Sequence, residues 1–301
     1  MCLFSVIIPH YNTVNYLKRL VQSIPTEDDI QLIVVDDKSQ EDTCDIENSI
    51  IARGGIFIHN TTEKKGAGVC RNLGLKEAKG KWLIFADSDD YFWQNGFDKF
   101  REYAESDADI IYFSPVSQYE DTGEMAKRHV YYELLVKRYL SCPSEQTEAS
   151  LRYKFVVPWS KMIRNEVVKN NHICFDETPA ANDVMFSMKS AFCAKKVVAS
   201  PEVVYCTIKA ENTLTTKRDE SNFWARVEVF KRMYFFINEN LNVKEFGFWD
   251  LSGIGMIKRA IKQGYDFKFV LKIYRFFTKN HVPIISWNGM KNSVLHHLKF
   301  R

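Results

Sequence analysis

Short apolar runs and helix-spaced stretches alternate through the first third of the chain. Leu3–Pro9 (LFSVIIP), Ile30–Asp37 (IQLIVVDD), Gly55–Asn60 (GIFIHN) and Lys81–Asp87 (KWLIFAD) read as strands. Asn15–Ile24 places Tyr16, Leu17, Leu20, Val21 and Ile24 at helical spacing, and Gly68–Gly80 reads as a helix closed by Gly80. The strand runs are continuously apolar, without alternation, as expected of strands covered on both faces. Strands interleaved with helices then imply a doubly wound, mostly parallel α/β sheet. Ala108–Pro115 predicts a further strand. Residues 117–150 turn polar and irregular, with SQYEDTGE marking a hairpin or loop. Beyond them the pattern predicts helices at Asn165–Asn170 and Asp183–Ala194, the second capped by Asn182 or a neighbour, and a strand at Pro201–Ile208. From Asn222 onward it is largely helical, with Phe223–Leu241 the longest segment.

In sheets of this kind ligands sit beyond the carboxyl ends of the strands. The polar clusters fall there: PHYN (Pro9–Asn12) after the first strand, DDKS (Asp36–Ser39) after the second, DSDD (Asp87–Asp90) after the fourth. Three carboxylates within four residues repel one another unless a cation or hydrogen-bond donors compensate. Asp87, Asp89 and Asp90 offer the hard oxygen ligands that Mg²⁺ or Mn²⁺ takes, one or two carboxylates at a time, alongside substrate phosphates. The plainer use of such a turn is to cap the helix that follows it. Asp36 and Asp37 can accept hydrogen bonds from a base or ribose, or can cap a helix. Tyr11 offers a flat face to a nucleobase, or packs. Gly68 allows close backbone approach, and Arg71 can clamp a phosphate or serve a surface ion pair. The segment GAGVCR lacks the third glycine of a dinucleotide fingerprint.

Composition narrows the field only slightly. The chain has 301 residues, 46% hydrophobic and 26% charged, enough for one large domain or one with an appendage. A formal charge of +3 is too small to argue for nucleic acid as the main partner, and none is expected. Seven scattered cysteines without a C-x-x-C pair read as reduced thiols. Without a basic leader or an apolar run of about 18 residues, neither a signal peptide nor a membrane span is expected, and the chain is placed in the cytoplasm.

Taken in order and spacing, VIIPHYN, LIVVDDKSQED, GAGVCRNLGLKEAKGKWLIFADSDDYF and PWSKMIRNEVVKNNHICFDE…NDVMFSMK closely resemble the family 2 glycosyltransferases of GT-A fold, over about residues 3–215. The resemblance implies a GT-A catalytic domain over 1–217, with a nucleotide-sugar half (1–115) and an acceptor half (116–217), followed by a basic helical extension over 218–301. It implies transfer of a sugar from a nucleotide sugar, usually UDP-linked, to a hydroxyl of a glycan or lipid-linked acceptor, with inversion and with Mg²⁺ or Mn²⁺, in surface polysaccharide biosynthesis. By the same resemblance Pro9, Tyr11, Asn12, Asp36, Asp37, Gly68, Arg71, Asp87 and Ser88 line the nucleotide-sugar site. Asp89 and Asp90 hold the metal, and Asp183 is the base that takes the acceptor's proton. Lys38 stands where DDGS has glycine, Asn182 where glutamate is more frequent, and Lys209 where an arginine often meets the diphosphate. Rival readings are a sugar nucleotidyltransferase, which needs a triphosphate loop that PHYNTVNY lacks, and a non-catalytic interaction protein, expected to have lost a metal or base carboxylate.

In the tail, Lys268, Lys272, Arg275 and Lys279 recur at four, three and four residues, one face of a helix. Such a helix either lies on an anionic membrane surface, which suits a lipid-linked acceptor, or packs its apolar face on the protein.

Overall fold

All seven residues of strand β1 (Phe4–His10) are buried in the computed structural model, as the unbroken apolar run requires of a strand covered on both faces. The structure describes residues 2–209, 218–241 and 251–285. The strands that follow are β2 (Ile30–Asp36), β3 (Ile56–His59), β4 (Trp82–Phe85), β5 (Tyr91–Phe92), β6 (Ile110–Tyr119), β7 (Lys161–Arg164) and β8 (Val197–Lys209). They form one eight-stranded sheet in the order β3-β2-β1-β4-β7-β6-β8-β5. Strands β1 to β4 run parallel, β7 runs antiparallel between β4 and β6, and β8 runs parallel to β6. The result is a mixed, largely parallel α/β sheet covered by helices.

Helices α1 (Val14–Gln22), α2 (Cys44–Ala52) and α3 (Ala67–Glu77) cross between the first four strands. Around β1 and β4, Phe4, Trp82, Phe92, Phe97, Phe100, Phe113, Trp159 and Tyr205 build the core, largely by edge-on ring contacts. Burying each such side chain contributes about 1.5–3 kcal/mol.

Several expectations are corrected. The 117–150 stretch is not irregular: β6 runs to Tyr119, a tight turn follows, and α5 (Val130–Ser141) and α6 (Glu145–Lys154) fill the rest. Ser144 and Thr147 form a reciprocal capping box at the start of α6. DSDD caps no helix, because the chain goes from it into β5, which pairs with β8, and only then into α4 (Gly96–Glu102). Nor does Gly80 close α3, which ends at Glu77. A Cβ at residue 80 would meet the backbone nitrogen of Ser5 at 2.5 Å, so glycine there lets the turn pass against β1. Helices α7 (Asn165–Asn170) and α8 (Val184–Cys193) lie where predicted, although α8 begins without a side-chain cap.

The chain divides into two compact units, Met1–Lys217 and Arg218–Arg301. The second has its own core, in which Phe223 and Val227 of α9 (Glu220–Asn240) meet Ile257 and Ala260 of α10 (Ile254–Lys262) and Phe269, Ile273 and Phe277 of α11 (Phe267–Lys279). The apolar spine of α11 is thus packed on protein, and Lys268, Lys272, Arg275 and Lys279 are left exposed. Among the described residues no helix is long and apolar enough to cross a membrane.

Candidate active site

Pro9 lies buried within β1, opposite Val35. At the strand's end Asn12 adopts a left-handed φ of 51°. Its side-chain oxygen accepts the N–H of Gln40 at 2.7 Å, and its own N–H donates to Ser39 Oγ at 2.9 Å. Buried His10 lies with Nδ1 2.9 Å from Asp36 Oδ1, and its Nε2 accepts the N–H of Thr13 at 3.2 Å, which assigns the proton to Nδ1. The other oxygen of Asp36 accepts the Ser39 N–H at 3.0 Å. Burial would raise the Asp36 pKa, but the donors of Ser39 and His10 outweigh it and hold it below the ordinary value. Asp37 accepts from Asn60 Nδ2 and from the Gly66 N–H, each at 2.7 Å. Both acids therefore tie the β1, β2 and β3 loops into one rim. Lys38 sits at φ 63°, the left-handed conformation that explains a glycine at this place in DDGS. Tyr11 stands 47% exposed at the rim, with the Lys65 ammonium 5.5 Å from its ring centre.

The DSDD turn is held from behind by Tyr205 on β8. Its hydroxyl accepts the Asp87 N–H at 2.9 Å and donates to Asp90 Oδ2 at 3.0 Å, while Asp90 Oδ1 accepts the Ile208 N–H at 2.7 Å. Asp90 is fully buried, and burial followed by the charges of Asp89 and Asp87 pushes its pKa well up. Both oxygens of Asp90 are spent inside the fold, a place different from the metal edge expected for it. Ser88 Oγ lies 2.9 Å from Thr13 Oγ1, linking the turn to the β1 loop. Asp89 is the exception: half-buried, its carboxylate makes no hydrogen bond or ion pair with a described residue, and only its carbonyl is engaged, by Arg19 at 2.5 Å. Burial and neighbouring Asp87 raise its pKa, against the pull of Arg128 and Arg19.

Arg71 joins this turn to the far half of the sequence. From α3 its guanidinium, 5% exposed, donates to Asp87 Oδ1 at 2.5 Å and to Asn182 Oδ1 at 2.7 Å, while lying 5.3 Å from the Phe175 ring centre. With Asp87 already supplying the counter-charge, a neutral Asn182 completes the bridge. Gly68 makes the approach possible, since a Cβ there would lie 2.0 Å from the carbonyl oxygen of Asp176. Asp183 follows directly, half-buried at the start of α8. Burial raises its pKa and Asp87 adds to that, opposed by Arg71 and Lys161.

Sequence reasoning missed Arg128 and Lys161. Arg128, just before α5, turns a partly buried guanidinium to the Ile208 carbonyl and donates to it at 3.2 Å. Burial works against its charge, but Asp90, Asp87 and Asp89 together hold its pKa up. Nothing local marks it, because it stands between Lys127 and His129 in a polar stretch without a motif.

Among the described residues no three His, Cys, Asp or Glu side chains form a cage that could hold a metal by themselves. One uncommitted carboxylate at Asp89 fits the other mode, in which Mg²⁺ or Mn²⁺ takes one or two carboxylates and completes its shell with water and substrate phosphates.

Comparison with known proteins bears on the family and the fold. The family model described as "Glycosyl transferase family 2" matches residues 5–171. The chain belongs to glycosyl transferase family 2. Within it, the chain is 23% identical over 249 residues to the putative glycosyltransferase EpsH of Bacillus subtilis (strain 168), covering 80% of this chain and 71% of that one. It is 28% identical over 221 residues to poly(ribitol-phosphate) beta-N-acetylglucosaminyltransferase TarS of Staphylococcus aureus (strain Mu50), covering 70% of this chain but only 36% of TarS. The crystal structure of S. aureus TarS 1–349 with UDP-GlcNAc superposes with a TM-score of 0.62 at 24% identity, covering 80% of this chain and 68% of that one, a likeness of fold.

Proposed function

We propose that this family 2 glycosyltransferase moves a sugar from a UDP-sugar to a hydroxyl of a glycan or lipid-linked acceptor, with inversion, in the building of a surface polysaccharide. What carries the reading is the Arg71 bridge, which ties the Asp87–Asp90 turn to the Asn182–Asp183 segment although 111 residues separate Arg71 from Asn182. Inverting transfer needs a base on the face opposite the leaving group, and Asp183 is that base, taking the acceptor hydroxyl's proton as the new bond forms. Tyr11 stacks on the uracil. The rim held by Asn12, Asp36 and Asp37 borders the base and ribose, with Asp87, Ser88 and Arg71 near the ribose and diphosphate. Asp89 binds Mg²⁺ or Mn²⁺, whose chemistry when bound is to neutralise the charge of the departing diphosphate. Arg128 adds a cation on the same side. TarS, crystallised with UDP-GlcNAc, supports a UDP-linked donor. The basic face of α11 supports contact with an anionic membrane surface, where a lipid-linked acceptor would lie.

A UDP-release assay with a panel of UDP-sugars, Mn²⁺ and a lipid-linked glycan acceptor tests the reading. Activity is expected in the parent and a loss of at least about a hundredfold in Asp89→Asn and Asp183→Asn. Synthesis of nucleotide sugar from UTP and a sugar phosphate would point instead to a nucleotidyltransferase.

A further inference from the structure

Directly beneath the start of α8 lies a lysine that the mechanism above does not use. Lys161, on β7, is 1% exposed, and among the described residues no carboxylate comes within ion-pairing distance of its ammonium. Nζ donates to the Phe155 carbonyl at 2.8 Å and lies 3.4 Å from Ser187 Oγ. The rings of Tyr112 and Phe155 face it with centres at 5.3 and 5.1 Å. A buried ammonium is costly, and two neutral oxygens and two rings offset the cost only partly. Ser187 connects it to the site: its N–H donates to the carbonyl of Asp183 at 2.9 Å, one helical turn back.

We infer that Lys161 is a positioning residue for the base, its buried ammonium holding the first turn of α8 through Ser187 and standing behind Asp183 as a second cation besides Arg71. The inference rests on the reading of Asp183 as the base. The groups facing Asp183 are Arg71 from α3, Asp87 from the turn after β4, Tyr132 from α5 and Lys161 from β7. Arg71 is the stronger cation acting on Asp183 but is shared between Asp87 and Asn182, whereas Lys161 makes no ion pair with an acid among the described residues. In the other direction, burial lowers the Lys161 pKa to about 7 and Asp183 is the acid that opposes the fall. The ammonium is therefore fully charged across the acid range in which a carboxylate titrates, and its hold on Asp183 fades as pH rises through neutrality.

The test needs no substrate. Full-length protein carrying ¹³C-carboxyl aspartate is titrated by NMR, with Asp183→Asn assigning the resonance, in the parent, Lys161→Met and Lys161→Arg. Lys161→Met keeps the volume and removes the charge. It should raise the proton affinity of Asp183 about tenfold, and Lys161→Arg should restore the parent value. Linkage demands the reciprocal effect, so the ¹⁵Nζ midpoint of Lys161 should fall by the same factor in Asp183→Asn. A folded Lys161→Met with the parent Asp183 midpoint, or an unmoved Lys161 midpoint in Asp183→Asn, overturns the inference. The second arm decides if Lys161→Met does not fold. Undiminished sugar transfer by Asp183→Asn, with the coupling intact, would instead remove the reading of Asp183 as base.

Discussion

The hydroxyl of Tyr205 lies 3.0 Å from a carboxylate oxygen of Asp90 and also accepts the N–H of Asp87, so one phenol from β8 fixes the turn from which Asp89 projects. Tyr205→Phe keeps the packing and removes both bonds. Leaving a buried carboxylate oxygen without its donor should cost about 1–3 kcal/mol in urea denaturation. Asp89→Asn, at a carboxylate whose pKa is raised and which has no partner among the described residues, should leave the protein at least as stable as the parent at pH 7. Isothermal titration with Mn²⁺ and UDP should give the reverse ranking, with the greater loss of metal binding in Asp89→Asn. Equal loss in a folded Asp90→Asn would return Asp90 to the metal site.

The close approach at Gly68 makes a second prediction. Gly68→Ala sets a Cβ 2.0 Å from the Asp176 carbonyl oxygen, so α3 or the 176–183 segment must move. A loss of about 1–3 kcal/mol is expected, with a fall in kcat/KM because Asp183 moves with its loop. Gly255→Ala, in α10 with open space around it, should stabilise by about 0.5–1 kcal/mol. Thermal and urea melts of the two variants check the contrast.

At Asp183 charge and stability oppose one another. Its folded pKa is raised, so the folded state binds the proton more tightly than the unfolded chain does, and stability falls as pH rises through the folded value. Asparagine mimics the protonated form. Asp183→Asn should therefore melt at a higher temperature than the parent at pH 7, and the difference should close below about pH 4, the unfolded carboxylate value. Melts at the two pH values decide it, and an equal Tm at pH 7 counts against the raised pKa.

Lys38 provides a backbone test. At φ 63° a β-branched side chain is strained, so Lys38→Val should cost about 1–3 kcal/mol. In Lys38→Gly the relief of strain and the extra freedom of the unfolded chain nearly cancel, giving a change within about 0.5 kcal/mol. Urea denaturation of both variants measures this, and equal losses would show that the Lys38 bond to Thr62 matters more than φ.

Strands β1, β2 and β4 were legible because burial on both faces forces unbroken apolar runs. Helices α5 and α6 were not, since α5 buries only Leu135 and Val136 deeply and shows a mixed aromatic and charged surface. Strand β5 is two residues long, too short for any period to register, and β7 carries Lys161 and Arg164 at its ends, so no apolar run marks it. The ring of acids at the strand ends was visible as a pattern, but the task of each acid was not. Asp90 turns inward because of Tyr205 and Ile208, and Asp36 because of His10, partners fixed only by tertiary pairing. Lys161 looks in sequence like any surface lysine between strand and helix.

Strand β8 is the last segment of the sheet to be synthesised, and its Ile208 N–H closes on Asp90, 118 positions earlier. A nascent chain on the ribosome thus carries its acidic turn unclamped until the final strand emerges. Premature termination before that strand would leave the turn without its anchor, so competence arrives late in translation and all at once.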